Sequence, residues 1–237
     1  MSLTLLYLIF IAQTPSSIYT SQESSPILTY ELLSGWTGYR EYLKLYPEGR
    51  GVFLLNNPLL SIKEIRVGEL PLDTLKPLLL EIDGIKSESL KSEYKGPAIF
   101  DAPIERITLK GKSIILSPTA QLPEELSDIK REIFRLKGFL KTFSPYPILS
   151  VDSVLTAKDS LKGKEICIEG ILLKSGENMK IIKELSSSEK GIELEYEPPP
   201  HFLDMLKEGR YGKALFIGRL EDKGILRVNW IELIRNE

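Results

Sequence analysis

Between residues 26 and 143 the spacing of apolar positions changes from strand-like to helical and back. Runs at 27–33, 39–46, 51–56 and 62–67 read as strands, separated by Ser34-Gly35-Trp36-Thr37-Gly38 and by Pro47-Glu48-Gly49. An apolar helix is expected over 73–82, introduced by Leu70-Pro71. Residues 86–96 are polar and read as a loop. A hairpin follows, 104–109 and 113–116, turning at Lys110-Gly111. Leu122-Pro123 then introduces a long helix from 124 to about 141. In it Leu126, Ile129, Ile133, Leu136 and Leu140 form one stripe at three- and four-residue steps. That stripe suits the sheet-facing side of an amphipathic helix, with a coiled-coil seam as the alternative. The expected fold class is therefore α+β, an antiparallel sheet with helices on one face.

Ser144-Pro145-Tyr146-Pro147 reads as a break, because two prolines cannot continue the helix before them. Beyond it the pattern is five short strands with one helix between the third and the fourth. The strands are expected at 165–173, around Lys180 and Lys183, at 191–197, at 213–220 and at 224–234. Pro198-Pro199-Pro200 ends the third, and 201–207 is the helix. Gly170 and Gly218 fall within strands, where a closing barrel needs a bulge or a sharp coil. This is the layout of a five-stranded OB-like β-barrel. Three segments result: 1–25 as leader and linker, 26–143 as the α+β domain and 148–237 as the barrel domain.

Composition narrows the function. The chain is globular, with 42% hydrophobic and 27% charged residues and a net charge of −2. That balance supplies no global attraction to nucleic acid or to anionic membrane. Cys167 is the single cysteine, so an intrachain disulfide and a cysteine zinc site are excluded. Scarce Asn and Gln with abundant Ile, Leu, Lys and Glu suit a thermophile. Residues 3–12 (LTLLYLIFIA) form an apolar run too short to span a bilayer but long enough for a signal-peptide core. The expectation is export, to the cell envelope or beyond, with loose membrane association through 3–12 if the run is retained. The alternative is a cytoplasmic protein with the run buried in the fold.

Two resemblances sharpen this reading. The stretches GKEICIEGILL (163–173) and GKALFIGRLEDKGILRVNWIELI (212–234) are similar to the first strand and last hairpin of OB domains of the tRNA-anticodon-binding type. That resemblance implies a barrel that holds a ligand on one face. The second covers 26–143. Ser34-Gly35-Trp36-Thr37-Gly38-Tyr39-Arg40, then Asp101, then Leu122-Pro123-Glu124-Glu125-Leu126, resembles the emfourin-type inhibitors of thermolysin-like metalloproteases. Trp36 stands where that turn has its second glycine. The resemblance implies an inhibitor acting through the 34–46 surface.

Candidate sites follow from residue type. A nucleic-acid role for the barrel needs aromatic platforms and a basic groove. Yet Glu193, Glu195 and Glu197 alternate with Leu194 and Tyr196, so inward Leu194 and Tyr196 would leave three carboxylates outside. Residues 148–237 hold 14 Lys and Arg against 16 Asp and Glu, which disfavours nucleic acid. An acidic face suits a basic peptide, a cation or simple solubility. His201 and Cys167 are the only candidates for a nucleophile pair, and Cys167 reads as an inert strand residue. Phosphate-loop, dinucleotide and metal-ligand spacings are all missing, so neither a cofactor nor a catalytic residue is expected. The stronger candidate for binding is Trp36, Tyr39, Arg40, Tyr42, Lys44 and Tyr46. There an aromatic lies between two glycines, and Arg40, Tyr42, Lys44 and Tyr46 share one strand face, the composition of a recognition surface. The competing expectation is that Trp36 folds back over the core and the tyrosines pack beneath the second helix. The functional expectation is a non-enzymatic protein that binds a protein or peptide. The alternatives are an emfourin-type inhibitor, an intracellular nucleic-acid-binding OB protein and a structural module.

Overall fold

A computed structural model describes residues 19–20, 25–100, 102–175, 178–184, 190–195 and 213–233. The apolar run at 3–12, the expected helix at 201–207, His201, Tyr196 and Glu197 lie outside these residues. The N-terminal sheet contains β2 (Leu28–Leu33), β3 (Arg40–Leu45), β4 (Arg50–Asn57), β5 (Ile62–Glu69), β6 (Glu93–Tyr94), β7 (Ile104–Leu109) and β8 (Lys112–Leu116). Their order is β6-β8-β7-β2-β3-β4-β5, antiparallel except for the β6/β8 pair. At the β7–β8 turn Lys110 (φ 46°) and Gly111 (φ 76°) both adopt left-handed backbone, which the lysine-glycine pair anticipates.

Two helices, α1 (Leu72–Gly84) and α2 (Glu124–Leu140), cover one face of this sheet. All five stripe residues of α2 are fully buried in the same core as Tyr30, Leu43, Phe53 and Ile107, so the stripe is sheet-facing. Burying each is worth about 1.5–3 kcal/mol, enough to hold the helix to the sheet without a partner helix. Two ion pairs add orientation. Lys130 meets Glu105 at 2.7 Å, and Lys137, only 7% exposed, meets Glu41, only 5% exposed. The Lys137 ammonium also lies 4.8 Å from the Phe134 ring centroid.

The segment 86–96, expected as a polar loop, is built otherwise. Its Leu90 and Tyr94 are buried in the main core, and β6 adds to the sheet edge at Ile115 and Leu116. Two isolated apolar residues among charges anchor it, and they are too few to set a period.

The barrel comprises β10 (Glu165–Ser175), β11 (Asn178–Ile182), β12 (Gly191–Glu195), β13 (Lys213–Leu220) and β14 (Leu226–Leu233). It closes in the order β10-β11-β12-β14-β13-β10, antiparallel throughout except for β12/β14. This closed mixed barrel is consistent with an OB-like fold. Gly218 sits at a bulge on β13, where a side chain would collide with the Arg227 carbonyl. Gly170 lies under Ile181 and Val151, where a Cβ has no room. Val151 belongs to α3 (Val151–Thr156), which with α4 (Lys158–Leu161) precedes the barrel. Val151 and Val154 complete the barrel core, and the sequence pattern does not reveal either helix. Tyr19–Thr20, expected within a linker, forms β1 and pairs in parallel with β14.

The segment 144–147 follows the end of α2 at Leu140, as its prolines require, but Tyr146 and Pro147 already belong to a strand, β9 (Tyr146–Ser150). Tyr146 and Pro147 pair antiparallel with β5, and Ile148 to Ser150 pair in parallel with β10. Proline is tolerated because it stands where the strand passes from one partner to the other. β9 thus joins the sheet to the barrel. A third core fills the junction, with Tyr46, Val52 and Ile65 from the sheet and Cys167, Leu215 and Ile217 from the barrel. Lys63 pairs with Glu169 across it, and the Tyr146 hydroxyl donates to Glu165 at 3.0 Å. Burial first, then the Glu165 charge, pushes that phenol up to about 12.

Removing one partner of the buried Glu41–Lys137 pair leaves a charge without compensation. Lys137→Ala is expected to lower the unfolding free energy by about 3–5 kcal/mol. The double variant Glu41→Gln/Lys137→Met removes both charges and should lose much less. Urea unfolding measures both, and equal losses would contradict a mutually compensated pair.

Candidate functional site

Strand alternation divides the predicted site residues between two faces. Arg40, Tyr42 and Lys44 share the face of β3 that points away from the helices, as expected. Arg40 and Arg106 approach the buried Glu31 carboxylate at 3.6 and 3.0 Å. The Tyr42 ring lies between Arg40 (6.0 Å) and Lys44 (5.2 Å). Tyr39 falls on the helix side, where its hydroxyl donates to Glu41. Burial, then that hydrogen bond, raises its pKa. Tyr46 is fully buried in the junction core, so its ring serves the joint between sheet and barrel.

Trp36 does not fold back over the core: it is 80% exposed. Its turn is fixed by backbone hydrogen bonds from Gly38 to Ser34 (3.0 Å) and from Ser34 to Tyr39 (2.9 Å). Thr37 adds a hydroxyl bond to Ser34 and accepts from the Tyr39 amide. Gly38 has φ +66° and faces the Pro58 ring, so the turn rests on the neighbouring β4–β5 connection. That connection is a 3-10 turn, Pro58–Leu60, capped by the Asn57 side chain, which accepts from the Leu60 amide at 3.3 Å. It exposes Leu59 (74%) and Leu60.

A third loop reaches the same end of the sheet. Ile104 pairs with Leu33 at the root of the Trp36 turn. Before it, Ile99 and Phe100 project into solvent, Phe100 being 90% exposed. Residues 34–38 and 58–61 contain no charged residue, and 96–104 contains only Asp101. Three loops thus gather six large apolar side chains at one end: Trp36, Leu59, Leu60, Ile99, Phe100 and Ile104. Isolated exposed apolar residues need no explanation, whereas six at one end of one sheet make that end the candidate site. The glycine turn singles out Trp36 and the strand pattern includes Ile104, but Leu59, Leu60, Ile99 and Phe100 are missed, because loop residues belong to no period. The available signal was bulky apolar residues in charge-poor segments bounded by Pro, Gly and Ser, NPLLS and GPAIFDAP.

The barrel offers a different surface. Leu194 leans on the barrel core while Glu193 and Glu195 point outward, as alternation requires. Arg227 holds Glu195 at 3.0 Å. The outward positions Cys167, Leu215 and Ile217 of β10 and β13 are taken up by the junction. Among the described residues no cluster of His, Cys, Asp and Glu is arranged to hold a metal ion. Also among them, no helix is long and apolar enough to cross a membrane. No protein-family model matches the chain, and no curated protein matches it.

Burial, reinforced by the Glu169 charge, raises the Cys167 thiol well above its ordinary range, so the nucleophilic thiolate is suppressed. A disulfide-exchange reagent at pH 8 is therefore expected to leave Cys167 unmodified in the folded protein and to label it fully in denaturant. Rapid labelling of the folded protein would contradict its place in the junction.

Proposed function

We propose that this is an exported, non-enzymatic binding protein that recognises a protein or peptide partner through the apolar end of its N-terminal sheet. The observation that carries the reading is the gathering of six exposed apolar side chains by three adjoining loops. Water gains if they are covered, at roughly 25 cal/mol per Å² of apolar surface. The turn and its Pro58 support hold Trp36 in place before a partner arrives, which limits the ordering cost of binding. Arg40 lies beside this end, and Tyr42, Lys44 and Arg106 continue from it along the same face as a polar border. The apolar run at 3–12 supports export.

An emfourin-type inhibitor is a special case of the same reading, in which the partner is a thermolysin-like metalloprotease; the exposed Trp36 at the tip of the matching turn favours it. A nucleic-acid role draws less support, because Glu193 and Glu195 face outward on β12 and the junction occupies β10 and β13.

Photo-crosslinking residues placed at 36 and at 100, with a control at 159 on the barrel side, test the proposal in cells of the source organism. Discrete protein adducts are expected from 36 and 100 and none from 159. A protease among the adducts would single out the inhibitor case. Absence of adducts at 36 and 100, or the same adducts from all three positions, would overturn it.

A further inference from the structure

Beside the apolar end lies a cavity of about 410 Å³, between residues 95–99, 102 and 103 and the strands β7 and β8. Its walls are largely apolar: Pro97, Ile99, Ile104, Ile115, Leu116 and Pro118. We propose that this cavity receives a bulky apolar anchor side chain, aromatic or leucine-sized, from the polypeptide partner. The inference rests on the reading of the apolar end as a protein-binding surface.

Three features define the occupant. First, the volume lies in the range of ligand-binding cavities. Ala98 and Ala102 line it, and these small side chains leave the space open. Second, the walls are preformed. Pro97, Pro103 and Pro118 restrict the backbone, the Thr119 hydroxyl donates to the Pro97 carbonyl at 2.8 Å, and Gly96 lies against Thr119 so closely that a Cβ would not fit. Filling it therefore requires little ordering of the walls around Gly96, Pro97 and Thr119. Third, the charged lining residues Glu93 and Lys95 pair with each other at 3.0 Å, so an uncharged group is the matching guest.

The surroundings distinguish a polypeptide from a smaller or softer occupant. Ile99 and Ile104 belong both to the cavity wall and to the exposed apolar residues at this end of the sheet, with Phe100 next to Ile99 in the chain. A small molecule filling the cavity alone would leave those side chains in water. A bilayer would cover the convex loop tips without needing a stapled cavity behind them. A partner that inserts one side chain while covering its rim satisfies both, and this is how binding energy concentrates at anchor residues.

The test uses the full chain and two probes, N-acetyl-L-tryptophanamide and N-acetyl-L-leucinamide, followed by methyl NMR. The Ile104, Ile115 and Leu116 methyls should shift saturably, while Ile129 and Ile168 in the two main cores stay fixed. Ala102→Phe, which fills the cavity, should weaken probe binding at least about tenfold. Ala98→Leu serves if Ala102→Phe perturbs the Ile129 and Ile168 signals. Missing shifts, or unchanged binding in a folded cavity-filled variant, would overturn the proposal. So would sedimentation with phosphatidylcholine vesicles that Phe100→Ser abolishes while the probes cause no shift, since that points to a bilayer. Partner adducts from position 36 that persist undiminished in Ala102→Phe would overturn the cavity's role while sparing the protein-binding reading. Loss of adducts at 36 and 100 in the unmodified chain background would instead remove that reading itself.

Discussion

The structure depends on a five-residue strand that pairs with two partners at once. β9 gives its first residues to β5 and its last to β10, and the apolar contacts on either side close around that bridge. Hydrogen bonding alone would leave two sheets hinged at a proline. The side chains decide the geometry: Tyr46, Val52 and Ile65 meet Cys167, Leu215 and Ile217 with every one of them buried. Separating the halves would expose this core and leave the paired backbone groups of β9 to water. Both are unfavourable, the second because buried strand amides must find other partners.

That joint decides which surfaces stay uncovered. The N-terminal sheet has helices on one face and the barrel on part of the other, over β4 and β5. The barrel in turn gives up the outward side of β10 and β13. The loop end carrying Trp36, Leu59 and Phe100 stays uncovered, and its apolar side chains stand on turns stiffened by hydrogen bonds and proline. Rigid turns here hold exposed apolar groups that would otherwise be drawn inward, as the proposed binding role requires.

Much of the architecture is legible in the sequence, for reasons that also explain where reading stops. The strands of the first sheet, the Lys110-Gly111 hairpin and the α2 stripe are local: each is set by a period or a turn preference within a few residues. The alternation that puts Leu194 inward and Glu193 and Glu195 outward is legible for the same reason. β9 is not, because Pro145 and Pro147 mark it as a break and only its two distant partners make it a strand. Helix α3 is hidden similarly, since two valines plugging a barrel make no periodic pattern. For the candidate site, the shared face of Arg40, Tyr42 and Lys44 and the prominence of Trp36 follow from β-strand alternation and a glycine turn. The burial of Tyr46 does not, because the covering residues come from the barrel, far along the chain. Nor does the placement of Leu59, Ile99 and Phe100 at the same end as Trp36, which requires the registers of Arg40 with Asn56 and of Leu33 with Ile104.

Native-state amide hydrogen exchange tests the joint most directly. If β9 fuses sheet and barrel into one cooperative unit, the amides of Ile148 and Cys167 will exchange only through global unfolding, in step with Leu43 under the helices and Ile168 inside the barrel. Exchange at Ile148 and Cys167 through a separate, easier opening, while Leu43 and Ile168 remain protected, would contradict the account.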